Sequence, residues 1–129
     1  MTVDVRPKGP IPEFVRAELT ARLLRHVEKE WNGRVGKILL RFRGAYVYVA
    51  AVEAERGMDA PPQVCRYIQV GEIPVELCRL GYLGSIDRWA YAFFKYSDEC
   101  YAPSVVASGS FVATPEQAFD CAAEVYLHE

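Results

Sequence analysis

The residues with the most chemistry in their types and spacing are cationic and aromatic. Lys37, Arg41 and Arg43 stand among alternating apolar residues, Tyr46 and Tyr48 follow, and Arg34 lies just before. Cationic side chains neutralise phosphates and tyrosine rings stack on unpaired bases, so these six residues have the ingredients of a nucleic-acid-binding face. A solvated sheet face needs no ligand to explain them, because arginine stems cover tyrosine rings across strands. The formal net charge of −2 favours the solvated face, and nucleic acid stays the lesser alternative.

A second concentration is purely aromatic: Tyr82, Trp89, Tyr91, Phe93, Phe94, Tyr96 and Tyr101. On a strand, Trp89, Tyr91 and Phe93 point one way while Phe94 and Tyr96 point the other. One face can bury against helices; the other needs a cover. That cover is the Cys100–Gly109 segment, a second copy of the chain, or a small apolar ligand. Phe94, Tyr96 and Tyr101 are therefore the candidate interaction surface.

Catalytic and metal-binding patterns are weak. His26 falls on the polar side of a helix and His128 is the penultimate residue, so both read as surface histidines. Cys65, Cys78, Cys100 and Cys121 are spaced 13, 22 and 21 apart, without the short spacing of a metal site. Cys78 and Arg79 point to opposite faces of a strand, Cys121 lies well past a helix start, and Cys100 sits beside carboxylates that oppose thiolate formation. Asp98, Glu99 and Asp87 read as solvated carboxylates. No serine elbow, P-loop or dinucleotide motif occurs. No catalytic residue, metal ligand or cofactor is assigned.

The elements that must hold these residues are legible in the periodicity. Residues 1–11, with Pro7, Gly9 and Pro10, read as an extended arm. Pro12 opens a helix over 12–32, whose apolar side is read as Phe14, Ala17, Ala21, Leu24 and Trp31, flanked by Leu23 and Val27, before Asn32-Gly33 ends it. A two-residue turn at Gly44-Ala45 pairs Arg43 with Tyr46, Phe42 with Val47, Arg41 with Tyr48 and Leu40 with Val49. Every apolar partner then lies on one face, and Arg41, Arg43, Tyr46 and Tyr48 on the other. Residues 55–63 read as a loop and 64–70 as a short strand. A second hairpin joins 76–83 to 88–96 at Gly84-Ser85, setting Cys78, Leu80 and Tyr82 against Trp89, Tyr91 and Phe93. Residues 97–110 are irregular, with a strand at 104–107. Thr114, Pro115 and Gln117 form a capping pattern for a closing helix over 115–127, with Phe119, Ala122, Val125 and Tyr126 as its apolar stripe.

The fold expectation is α+β: an antiparallel sheet of four or five strands, built from two hairpins and flanked by an N-terminal and a C-terminal helix. At 129 residues the chain reads as one domain, 1–129, with an ordinary 51% of hydrophobic residues. Residues 1–43 hold ten Lys/Arg against five Asp/Glu, and residues 44–129 hold five against twelve, which permits one basic and one acidic face. No signal-like apolar region opens the sequence and no run approaches a membrane span, so a cytoplasmic location with reduced thiols is expected.

Cys78-Arg79-Leu80, Tyr82, Gly84 and Trp89, then Lys95-Tyr96-Ser97, Glu99, Tyr101 and Pro103, with Thr114, Glu116, Ala118 and Tyr126, resemble a family of small bacterial proteins of no known activity. The resemblance covers the chain from Cys78 onward, the first hairpin loosely and the first helix hardly at all. It implies a small intracellular protein and no site residue. The functional expectation is a non-enzymatic interaction module whose partner is another protein or, as a homodimer, itself. Nucleic-acid binding, and a small enzyme or ligand-binding site assembled only in space, are the alternatives.

Overall fold

The structure, a computed structural model, describes residues 6–54, 61–104 and 109–127. Helix α1 (Glu13–Glu30) is followed by strands β1 (Val35–Arg43), β2 (Tyr46–Glu53), β3 (Gln63–Val64), β4 (Val75–Ser85), β5 (Arg88–Lys95), β6 (Cys100–Pro103) and β7 (Val112–Ala113), then helix α2 (Pro115–Tyr126). The fold is α+β, as expected. The sheet has more strands than the two hairpins supply and runs β3-β1-β2-β4-β5-β6, with β7 beside β5. All its pairings are antiparallel except the two-residue β3, which runs parallel to β1.

Both hairpins pair as the alternation predicts. Arg43 faces Tyr46 and Arg41 faces Tyr48, with Gly44 at φ 60, a left-handed conformation that suits glycine in this turn. Cys78 faces Phe93, Leu80 faces Tyr91 and Tyr82 faces Trp89. The second turn differs from expectation. Strand β4 continues through an irregularity at Leu83-Gly84 to Ser85, which pairs Arg88, so Ile86-Asp87 makes the turn. The Ile86 carbonyl there accepts the indole N–H of fully buried Trp89 at 2.7 Å, satisfying a donor that burial would otherwise leave costly.

The inner face of the sheet and both helices share one core that includes Ile38, Val47, Val49, Leu80, Trp89 and Phe119. The α1 stripe is Val15, Leu19, Leu23, Val27 and, just beyond the helix, Trp31, each buried and four residues apart. This corrects the apolar side read from the sequence. Phe14 is 74% exposed and Ala17 and Ala21 face solvent, because the preceding arm delivers Ile11 to the core and sets the helix phase one residue later. The α2 capping box forms as read, with Thr114 and Gln117 exchanging bonds of 3.0 and 3.2 Å. Val125, read as part of the α2 stripe, is instead exposed while Ala118, Phe119, Ala122 and Ala123 are buried.

Residues 7–11 pack along the hairpin tips. The Lys8 N–H donates to the Tyr82 carbonyl and the Ile11 N–H to the Gly44 carbonyl at 3.0 Å. Two glycines allow the close approach: a Cβ on Gly81 would lie 2.5 Å from Pro7 Cγ, and one on Gly9 would lie 2.7 Å from Ala45 Cβ. Of the short strand expected over 64–70 only Val64 is strand, together with Gln63 from the end of the expected loop in the two-residue β3, and residues 65–74 form a connection without strand. Residues 55–60 of the expected loop, 105–107 of the expected second short strand, and His128 lie outside the described residues. Among the described residues, no helix is long and apolar enough to cross a membrane.

Candidate interaction face of the sheet

The face turned away from the helices is built by alternation on five strands. Arg41, Arg43, Tyr46 and Tyr48 come from the first hairpin, Arg79 from β4, Phe94 from β5 and Tyr101 from β6. Small residues opposite the long ones, Gly81, Ala90 and Ala92, leave room for the rings to lie across the sheet. The result is a lattice. Arg79 lies 4.5 Å from the Tyr46 ring centroid and 5.8 Å from that of Tyr101, and Arg41 lies 5.9 Å from Tyr48. Tyr48 meets Tyr101 at 5.2 Å, Tyr101 meets Phe94 at 5.0 Å, and Phe94 meets Tyr96 at 4.7 Å, all edge to face.

Glu76 is the acidic centre of this lattice. Arg41 Nη2 donates to both its carboxylate oxygens, at 2.9 and 3.1 Å, and the Tyr101 hydroxyl donates to Oε2 at 3.3 Å. The Glu76 N–H donates to the Tyr96 hydroxyl at 2.8 Å. Strict alternation from Arg79 would send Glu76 to the core and Leu77 outward. A register shift between Val49-Cys78 and Ala50-Glu76 takes up one extra residue, so that Leu77 and Cys78 are both buried and Glu76 turns to the outer face. Burial, reinforced by the Glu76 charge, pushes the Tyr101 hydroxyl well above the ordinary tyrosine range.

Of the six residues read as a basic-aromatic face, the structure brings Arg41, Arg43, Tyr46 and Tyr48 together. Arg34 is elsewhere: its guanidinium caps the end of α2 on the Leu127 carbonyl at 2.8 Å and stacks over Trp31 at 4.4 Å. Lys37 lies on the outer face but pairs with Glu72 at 2.6 Å. The two candidate surfaces, Arg41–Tyr48 and Phe94, Tyr96, Tyr101, are one continuous surface joined where Tyr48 meets Tyr101. An open depression of about 460 Å³ there is lined by Arg41, Phe42, Arg43, Tyr48 and Tyr101.

The β3–β4 connection also crosses this face. Its Glu72 is held by Lys37, and the hydrogen bond from Lys37, then that from the Gln69 N–H, lowers the Glu72 carboxyl below its ordinary range. On the same outer face, Leu39, Ala50 and Val52 form a small second core. Four apolar side chains of the connection stand in solvent: Tyr67 is 81% exposed, Ile68 44%, Val70 107% and Ile73 81%. Sequence reasoning missed these residues because Tyr-Ile-Gln-Val reads equally well as a strand.

Other candidates have internal partners. Asp98 pairs with Lys95 at 3.0 Å, and Asp87 with Arg22 at 2.6 Å. His26, read as a surface histidine, is only 14% exposed in its side chain and meets Asp120 Oδ1 at 2.7 Å. The same oxygen accepts the Trp31 indole N–H at 2.8 Å. Burial, then the neighbouring Cys121, pushes the Cys78 thiol far above the range of a nucleophile. Among the described residues, no group of three or more His, Cys, Asp or Glu could hold a metal ion.

Comparison with protein-family models, with curated proteins and with solved structures finds no match to this chain.

Proposed function

We propose that this chain is a non-enzymatic interaction module that binds a polypeptide through the outer face of its sheet. The observation that carries this reading is the 65–74 connection, which holds Tyr67, Val70 and Ile73 almost fully in water in the segment that leads into Glu76 of the arginine–tyrosine lattice. Exposed apolar side chains rimmed by tyrosine and arginine are the composition of interaction hot spots. The connection is also positioned in advance, by Lys37 on Glu72 and by the Glu72 N–H on the Gln69 carbonyl at 3.0 Å, which lowers the ordering cost of binding.

Nucleic acid is supported less well. The rings of Tyr46 and Tyr48 carry Arg79 and Arg41 over them, so an incoming base would first have to displace a guanidinium. A cytoplasmic setting belongs to the proposal and rests on four free cysteines.

Photo-crosslinking tests the reading. Benzoylphenylalanine placed at position 70 captures a discrete polypeptide in native cells, and the same probe at exposed Glu30, at the end of α1, does not. Capture at neither position, or the same products at both, contradicts it. A dilution series by light scattering separates a second copy from a different partner.

A further inference from the structure

The edge of β1 carries information beyond the face. In its two-residue hairpin, Arg43 pairs Tyr46, so Arg43, Arg41 and Leu39 turn their backbone groups toward β2, and Leu40 and Phe42 turn theirs away. The first pairing on the outer side agrees: the Cys65 N–H donates to the Ile38 carbonyl at 3.0 Å, two residues before Leu40. Strand β3 then ends, and the chain leaves over the outer face. Among the described residues, no group bonds to the outward N–H and C=O of Leu40 and Phe42. Two ladder positions therefore stand open, in line with a strand that is already there.

The surroundings of this gap are basic. Arg16 lies 5.5 Å over the Phe42 ring on the helix side, and exposed Arg43 stands on the outer side next to the depression. Among the described residues, neither has a carboxylate partner.

We propose that the open edge of β1 at Leu40–Phe42 accepts an extended, acidic segment of a partner polypeptide as an added strand. Backbone groups supply the pairing; alternate carboxylates lie on one face of the added strand, where they reach Arg43, while the residues between them face Phe42 on the helix side. A second copy of this chain fits less well. Antiparallel pairing of two β1 edges across a two-fold axis sets Leu40 against Phe42 and Arg41 directly against its own counterpart, a like-charge contact that destabilises the pair. The inference rests on the interaction-module reading but uses a different surface from the 65–74 connection.

The test is amide hydrogen exchange by NMR with two probes, a peptide alternating glutamate and valine and one alternating lysine and valine. In the free protein, Leu40 and Phe42 exchange fast while Leu39, Arg41 and Arg43 are protected. The glutamate peptide slows Leu40 and Phe42 about tenfold or more, a change worth about 1.4 kcal/mol, and the lysine peptide does not. Arg43→Glu, at an exposed position, reverses that preference. Protection by neither peptide overturns the proposal and leaves the arginines as devices that keep edges apart. Binding that leaves both amides fast overturns it too, as does protection that grows with protein concentration alone. Crosslinking at position 70 that persists through any of these failures keeps the interaction-module reading while removing this one.

Discussion

Glu76 and Arg41 meet across an intervening strand, with Arg41 Nη2 2.9 Å from Oε1, because a register irregularity in β4 turns Glu76 away from the core. The pair is the hinge between two parts of the outer face. On one side lie the arginine–tyrosine lattice and its depression; on the other, the apolar connection held by Lys37 and Glu72.

Removing the Glu76 carboxylate should therefore unsettle more than an ion pair. Glu76→Ala is expected to lower stability by about 1–2 kcal/mol in urea denaturation, because the Tyr101 hydroxyl loses its acceptor as well. The coupling to Arg41 in a double-mutant cycle should stay below about 1 kcal/mol and shrink with salt, since the Arg41 side chain is 58% exposed.

Gly81 is expected to tolerate no side chain while Pro7 is docked on it. Gly81→Ala should cost about 1–3 kcal/mol and make residues 6–10 susceptible to proteolysis. Pro7→Gly in the same chain should recover much of that loss, since Pro7 Cγ is the atom 2.5 Å from the new Cβ. An undiminished penalty would place the strain elsewhere.

Much of this frame was legible in the sequence, and the exceptions have physical causes. The period-two run from Ile38 to Phe42 and its Gly44 turn defined a hairpin whose register follows from which face is buried. Glu76 was not legible as an outer-face residue, because alternation counts residues and cannot see the extra one taken up at Leu77-Cys78. Strand β6 carries only four residues beside an irregular stretch, too few for periodicity to register. The tie between His26, Trp31 and Asp120 joins residues at a sequence separation near ninety, which no local pattern encodes. The interaction face was legible in parts, as two separate aromatic groups, but their contact through Tyr48 and Tyr101 depends on the strand order.

Asp120 is expected to clamp the two helices. Asp120→Ala removes the acceptor of the buried Trp31 indole and the partner of His26, and should cost about 1–3 kcal/mol by thermal or chemical unfolding. Near-ultraviolet circular dichroism of Trp31 should change while that of a Glu124→Ala control, altered at an exposed position of α2, should not.

Alkaline pH should unfold the protein through its tyrosines. Burial first, then bonding to Cys121, raises the Tyr91 hydroxyl, and burial is likewise the leading cause for Tyr96, Tyr101 and Tyr126. A folded-state value above the unfolded value of 10 gives stability that is whole below pH 10 and is lost as the pH rises beyond it. Tyrosinate absorbance should show a part of the eight tyrosines ionising only with loss of the far-ultraviolet signal. Eight tyrosines titrating together in the folded state would contradict the packing of the lattice.

The central claim, that the outer face binds a polypeptide, is tested most directly by the affinity of the partner captured at position 70 for the double variant Val70→Asp/Ile73→Asp. Both side chains stand in water in the free protein, so the variant should fold as the parent does. The account predicts binding at least about tenfold weaker, the effect of losing one hot-spot contact or more. Unchanged affinity in a variant of unchanged stability would contradict it.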